Sequence, residues 1–320
     1  MRFTLRQLEY FVAAGETGSI TLASERIAIS QPSISTAISH LEKELGVQLF
    51  VRHHAQGLSL TPAGRSLLRE AKAILEQAEG LYAAAGEASG QIRGRLTLGC
   101  LVTLAPMILP ELSHGFTGAY PDVQVHHVEE DQERLLDGLR RAAIDVAITY
   151  DMHLTEDIAF EALATLPPHA LVSESHALAR QSSVRLTQLI DEPMILLDLP
   201  LSREYFLALF MAEGLTPNIQ ARSPHHDVVR TMVANGYGYT LGNARPRSDQ
   251  ALDGRRLVRV PLAGKARPLA LGMAWAAQVK PSRLIEVFQA HCRSCVSDSY
   301  IPGMVPTAPL NGEQEGPKRT

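Results

Sequence analysis

The chain has 320 residues, 45% of them apolar, 20% charged and only 5% aromatic, with a formal net charge of -4 at pH 7. That length suggests about two domains, and the composition excludes a wholly disordered chain, a fibre and a strongly basic, histone-like protein. Cys100, Cys292 and Cys295 are too few for a disulfide framework, the N-terminus has no secretory apolar core, and no apolar run approaches the ~20 residues of a membrane span. A cytoplasmic, non-membrane protein is expected.

Three compositional zones follow in chain order. In the first, Leu5, Leu8, Phe11 and Val12 mark one face of a helix that Gly15 and Gly18 are expected to stop. Ser19 is placed to cap a second short helix carrying Leu22, Ala23 and Ile27. Ser30 then caps a third, with Pro32 in a first turn whose N–H groups have no intrahelical partner. Ile34, Ile38, Leu41 and Leu45 form a narrow apolar stripe along it. Gly46 ends the helix, and the segment from Arg52 to Leu60 reads as a two-stranded wing turning at Gln56-Gly57.

The opposite face of the third helix carries Pro32, Thr36, Ser39 and Lys43, flanked by Ser33, Ser35 and His40. A solvated face normally prefers Glu, Lys and Arg, whereas short polar side chains let the helix approach a phosphate or a base edge closely. Three helices and a wing describe a winged helix-turn-helix, whose third helix lies in the major groove. On periodicity alone, a small helical interaction module fits equally well.

The residues themselves go further. Leu5-Arg6-Gln7-Leu8-Glu9-Tyr10-Phe11, Ile29-Ser30-Gln31-Pro32-Ser33-Ile34-Ser35, Leu41-Glu42-Lys43-Glu44-Leu45-Gly46, Leu49-Phe50-Val51-Arg52 and Leu60-Thr61-Pro62-Ala63-Gly64 occur in the order and spacing of the LysR-type transcriptional regulators. The zone resembles that family's DNA-binding opening throughout. The resemblance implies that Gln31, Pro32, Ser33, Ser35 and Thr36 reach double-stranded promoter DNA and that Arg52 meets a phosphate; Ser30, Ser39, His40 and Lys43 complete the candidate face. Many family members carry Arg where this chain has Thr36. Threonine cannot read guanine bidentately, so base preference here is expected from thymine-methyl contacts or groove shape. Within residues 1–60, Arg2, Arg6, Arg26, Lys43 and Arg52 balance Glu9, Glu16, Glu25, Glu42 and Glu44, so each protomer contributes little phosphate neutralisation and dimerisation is the expected remedy.

The second zone, 61–93, opens with Thr61 as a cap and Pro62 at the first helical position. Leu67, Ala71, Ile74, Ala78, Leu81 and Ala85 are spaced as a heptad seam, with Leu68, Leu75 and Tyr82 beside them. The spacing suits an internal core helix or a helix packed along a partner. The resemblance implies the latter, a linker helix that pairs protomers as a homodimer or homotetramer. Gly86, Ser89, Gly90 and Gly94 mark the hinge.

The third zone alternates strands near 95–100, 123–128, 145–150, 170–173, 194–197, 218–221, 238–241, 257–260 and 269–274 with helices near 104–119, 132–142, 202–213, 226–235 and 282–295. That alternation predicts an α/β fold of two lobes, the last strand and helix returning to the first. The resemblance implies a periplasmic-binding-protein-like (type 2) effector domain, with lobe I at 94–163 and 267–298 and lobe II at 164–266, then a disordered tail at 299–320. In such a domain a small-molecule effector binds between the lobes, at strand C-termini and helix N-termini.

Candidate contacts are Thr103, also a helix-cap candidate; Gln132, opening a helix after Asp131; Thr149, ending a strand; Ser202, a second cap candidate, with Arg203; and His225, beside His226. Arg245, after Asn243-Ala244, falls either near the cleft or on the surface. Hydroxyls, helix N-termini and cations together point to a small organic acid. The C-x-x-C of Cys292 and Cys295 has no second half, so packing explains it better than redox or metal chemistry. The glycines at 236, 238 and 242 lack dinucleotide-loop spacing. With no nucleophile–base pair, metal site or cofactor loop in the sequence, an enzyme is not expected, and no cofactor is. A ligand-responsive regulator, with RNA polymerase as a further partner, is favoured over a non-specific architectural DNA binder, which would need strong positive charge.

Overall fold

The computed structural model describes residues 3–53, 57–89 and 91–306 and divides into two compact units, one ending at Gly94 and one beginning at Arg95. In the first, Thr4 and Gln7 form a reciprocal capping box at the start of α1 (Leu5–Thr17). The helix runs through Gly15, contrary to expectation, and ends at Gly18. The reason is packing, because a Cβ at Gly15 would meet Leu68 at 2.9 Å. Ser19 caps α2 (Ile20–Ile27), Ser30 caps α3 (Gln31–Leu45), and Gly46 closes α3 in the left-handed region. Strands β1 (Phe50–His53) and β2 (Gly57–Leu60) pair antiparallel as the wing.

Thr61 then caps α4 (Pro62–Ser89), its hydroxyl accepting from Gly64 N at 2.8 Å. The first part of α4 does not present its apolar row outward. Ala71 is buried with Leu8, Phe11, Ile34, Ile38 and Leu41, and Leu67, Leu68 and Leu75 pack on the same core. Ile74 is left exposed. The side chains from Leu81 to Ser89 lie outside the described residues.

The second unit holds β3 (Gly94–Leu101), α5 (Ala105–Ala119), β4 (Val123–Glu130), α6 (Gln132–Arg140), β5 (Val146–Tyr150) and β6 (Ile158–Leu166). There follow β7 (His169–Ser173), β8 (Pro193–Leu197), α7 (Ser202–Met211), β9 (Asn218–Ser223), α8 (His226–Ala234), β10 (Thr240–Gly242), β11 (Leu257–Pro261), β12 (Leu269–Ala276) and α9 (Arg283–Cys295). One sheet has the order β4-β3-β5-β12-β6, with β12 antiparallel to both neighbours. The chain therefore returns from the second lobe into the middle of the first lobe's sheet. The second lobe contains β10-β7-β11 and the parallel pair β8-β9, joined through a bridge between Met194 and Tyr239. Sequence patterning did not suggest β6. Its Ala- and Glu-rich run lacks clean alternation, and pairing along β12 decides its conformation.

The expected disordered tail is corrected over its first part. Ile301 and Met304 are buried, Arg247 N donates to Gly303 O (3.0 Å), and Val305 N donates to Arg245 O (2.9 Å). Gly303, at φ +67°, presses against Met107 of α5, where a Cβ would lie 2.7 Å from the carbonyl oxygen. This segment thus ties the first-lobe helix α5 to the second-lobe loop at 245–247. Residues 307–320 lie outside the described residues. Among the described residues, no helix is long and apolar enough to cross a membrane, and no cluster of three metal-binding side chains occurs.

Candidate functional site

Two constellations carry chemistry, one in each unit. Along α3, burial of Ile34, Ile38 and Leu41 turns Gln31, Pro32, Ser33, Thr36, Ser39, His40 and Lys43 into solvent, while Ser35 is half-buried. The Ser30 hydroxyl lies 2.8 Å from that of Ser33 and also accepts from Ser33 N, so cap and first turn are locked together. His40 is oriented from outside its helix. Gln7 Oε1 accepts from Thr4 N at 2.8 Å, which leaves Gln7 Nε2 to donate to His40 Nδ1 at 3.1 Å. An accepting Nδ1 puts the proton of a neutral imidazole on Nε2, as a donor. Arg52 belongs to β1, but its side chain lies outside the described residues. Part of the nearby charge is spent internally, with Glu16 bridging Arg26 and Lys72 at 2.6 Å each. Burial raises the Glu16 carboxyl, and these two cations outweigh it and hold it below its ordinary value.

The second constellation is an inner cavity of about 40 Å³ between the lobes of the second unit. The first-lobe segments supply Thr103, Tyr150 and Met152; the second lobe supplies His169, Ser202, Tyr205, His226, Arg230, Thr240 and Asn243. An outer cleft of about 590 Å³ adjoins it and shares Thr103, His226 and Arg230. Among the described residues, no Asp or Glu lines the inner cavity.

Arg230 is the cavity's cation. Its Nη2 donates to Ser248 O (3.3 Å) and Gln250 O (3.0 Å), and no carboxylate hydrogen-bonds it among the described residues. Burial lowers its pKa, Asp227 opposes that, and the charge of Arg259 adds to it. Arg245 is lowered by burial and by Arg259, and its buried Nε has no partner among the described residues. His169 feels this whole field. Burial first, then Arg245 and Arg259, push its ring down to about 3, so it is neutral at physiological pH, with a hydrogen bond to Pro167.

Of the six candidate contacts, the structure brings Thr103 and Ser202 to the inner cavity. Neither caps its helix, as the sequence suggested. Leu104 stands at the α5 cap without a side-chain bond. Before α7, Leu201 adopts φ +60° in a tight turn where Ser202 N reaches Pro200 O at 2.6 Å, and this strained geometry delivers Ser202 to the cavity wall.

Gln132 and Thr149 do come together, but not around the cavity. The Thr149 hydroxyl donates to Gln132 Oε1, while Gln132 Nε2 donates to Tyr150 O (3.1 Å) and Met152 O (3.0 Å). A buried amide must satisfy its N–H groups, and the end of β5 offers the carbonyls. Arg203 is likewise absent from the wall, its Nη1 paired with Asp198 Oδ1 at 2.6 Å. His225 lines only the outer cleft, and its neighbour His226 takes the inner position.

Sequence reasoning missed His169, Thr240 and Arg230 and named Asn243 only in passing. Arg230 did leave a signal. It lies four positions after His226 and beside Val229 and Val233, an arginine on the apolar face of a short helix. Cys100 and Cys292 are fully buried, and burial pushes both thiols up, so packing accounts for them.

Residues 5–65 match the family model described as the bacterial regulatory helix-turn-helix protein, lysR family, and residues 89–295 match the LysR substrate binding domain. The chain is 31% identical to the HTH-type transcriptional regulator TfdS of Cupriavidus pinatubonensis over 74% of this chain and 81% of that one. HinK, a LysR family transcriptional regulator from Pseudomonas aeruginosa, matches at 40% identity and a TM-score of 0.62, covering 92% of this chain and 99% of HinK. The fold also matches full-length CbnR complexed with its target DNA, at 22% identity and a TM-score of 0.69, over 91% and 99% of the two chains.

Proposed function

Because the chain belongs to the LysR family of DNA-binding transcriptional regulators with an effector-binding domain, we propose that it acts in the cytoplasm as a homodimer or homotetramer on promoter DNA and senses a small organic anion between its lobes. The DNA contacts in this reading are Ser30, Gln31, Pro32, Ser33, Ser35, Thr36, Ser39, His40, Lys43 and Arg52. Residues 61–93 link them to lobe I (94–163 and 267–298) and lobe II (164–266), and RNA polymerase is the partner that reads out the outcome. Pairing falls to the face of α4 that carries the exposed Ile74, since the first turns of α4 are occupied by their own domain. Two recognition helices then reach successive major grooves, about 34–36 Å apart or a multiple of it.

The observation that carries the anion is Arg230 in a cavity wall that holds no carboxylate. A desolvated guanidinium whose hydrogen bonds go to carbonyls, with Asp227 and Asp249 acting on it only through space, favours an anionic guest. Binding biases the lobes, and so the assembly, only to the extent that the guest prefers one arrangement over the other. Calorimetry with a panel of aromatic and aliphatic acids tests this. Acids should bind the wild type and lose most of their affinity in Arg230→Gln; binding of neutral or cationic compounds in place of the acids would sink the anion.

A further inference from the structure

Two residues that line the inner cavity carry buried polar atoms without partners among the described residues. Asn243 is 3% exposed and Thr240 5% exposed; both line the cavity, and neither Asn243 Oδ1 nor Thr240 Oγ1 has a hydrogen-bond partner among the described residues. The orientation of the Asn243 amide is fixed by its other end. Nδ2 donates to Leu166 O at 2.8 Å, and a carbonyl can only accept, so Oδ1 must be the unpaired atom. Tyr205 cannot rescue it. Its hydroxyl proton goes to Arg267 O at 2.6 Å, and its oxygen accepts the second Asn243 N–H at 3.2 Å.

His169 adds an acceptor to the same wall. One nitrogen of the neutral ring is held by Pro167, which leaves the other with a lone pair. This part of the cavity therefore asks for hydrogen-bond donors, while Arg230 asks for negative charge. A plain carboxylate satisfies the guanidinium and can accept from the Thr240 hydroxyl, but it offers nothing to Asn243 Oδ1 or the His169 lone pair. An ammonium ion satisfies the acceptors but lies beside the Arg230 guanidinium, which no carboxylate hydrogen-bonds among the described residues.

From this we infer that the effector is an acid carrying its own O–H or N–H donor, with the donor at Asn243 and Thr240 and the carboxylate at Arg230. The inference rests on the anion reading above and adds an orientation to it. Arg230 and Thr103 line both the inner cavity and the outer cleft, whereas Asn243 and Thr240 line the inner one alone. The donor end goes in deepest and the carboxylate stays at the throat. The inner space of about 40 Å³ holds no more than a few waters, so the lobes must part to admit the guest.

The test uses the full chain and matched probes: benzoate, 4-hydroxybenzoate and 4-methoxybenzoate, with butanoate and 4-hydroxybutanoate as the aliphatic pair. Calorimetry should show the hydroxylated member of a pair binding about tenfold or more tighter than its partner, because a site built around a hydroxyl rejects the analogue lacking it. Thr240→Val, nearly the same shape, should shrink that preference. A second readout needs no ligand. Removing an unpaired buried hydroxyl should leave the melting temperature of the ligand-free Thr240→Val protein unchanged or raised by a few degrees. A fall of several degrees means the hydroxyl has a partner inside the protein and overturns the inference. Equal binding within each acid pair also overturns it and leaves the anion reading standing. Binding confined to uncharged 4-hydroxybenzyl alcohol or cationic tyramine defeats the anion reading itself, while the donor contact survives.

Discussion

The candidate DNA face and the effector cavity are built in opposite ways. The first is a continuous stretch of α3 whose polar residues are exposed because Ile34, Ile38 and Leu41 alternate with them at helical spacing. The second gathers Thr103, His169, Ser202, Arg230, Thr240 and Asn243 from separate strands, turns and helices. A face of the first kind is written in local periodicity and can be read before folding. A cavity of the second kind exists only after two sheets have formed, and side chains expected in it are recruited elsewhere by whichever buried partner they meet first. If that contrast holds, substitutions on the exposed face of α3 should cost binding and not fold, whereas the effector unit should lose stability wherever its long-range packing is cut.

The largest effect is expected at the segment that sequence composition assigned to a disordered tail. Ile301 is fully buried, and the chain beyond it is hydrogen-bonded to residues 245–247. Ile301→Ala should destabilise the effector unit by roughly 2–5 kcal/mol, the usual range for removing a buried aliphatic side chain. Urea unfolding followed by circular dichroism measures it. An unchanged midpoint would return the segment to the disordered class and weaken the contrast.

His169 gives the next test, through pH. Its folded pKa of about 3 lies below the unfolded value near 6.5, so the unfolded chain takes up the proton first. The stability gained by keeping the ring neutral is complete above pH 6.5 and drains away as the pH falls toward 3. Between pH 7 and pH 5 the wild type should lose about 2 kcal/mol that His169→Gln does not lose. Parallel pH profiles for the two proteins would show that the imidazole is not held neutral by burial and the arginines.

At the recognition helix the expected loss is of binding, not of fold. Gln31 is exposed at the first position of α3, so Gln31→Ala should leave stability nearly unchanged and weaken the cognate operator by roughly 1–3 kcal/mol. Random DNA of equal length should be affected far less in mobility-shift titrations. Equal losses on both would reduce Gln31 to a positioning contact.

How much of the molecule the sequence disclosed follows the same division. Ser19, Ser30 and Thr61 were recognisable as caps because a cap depends on a few neighbouring residues. Strand β6 was not recognisable, because its pairing with β12 joins residues more than a hundred positions apart. Gln132 and Thr149 were placed at the correct element ends, yet their orientation was set by the carbonyls of Tyr150 and Met152, which no local pattern encodes. The heptad along α4 was visible, but periodicity does not say which partner covers it, and the core around α1 claims the first three turns through Leu68 and Ala71.

Arg203 offers the smallest and sharpest test. Reasoning from sequence chose it as an effector cation because it follows a strand and opens a helix. In the fold its guanidinium is satisfied by Asp198 at 2.6 Å and does not line the cavity, whereas Arg230, one helix further along, does. Partly exposed ion pairs contribute little, so Arg203→Ala should shift stability by no more than about 1 kcal/mol. It should also leave the affinity for a bound acid within about twofold, while Arg230→Gln removes most of it. A strong loss of acid binding in Arg203→Ala, measured by calorimetry beside the Arg230 variant, would mean that the Asp198 pair opens when the guest arrives and that local spacing had located the anion contact after all.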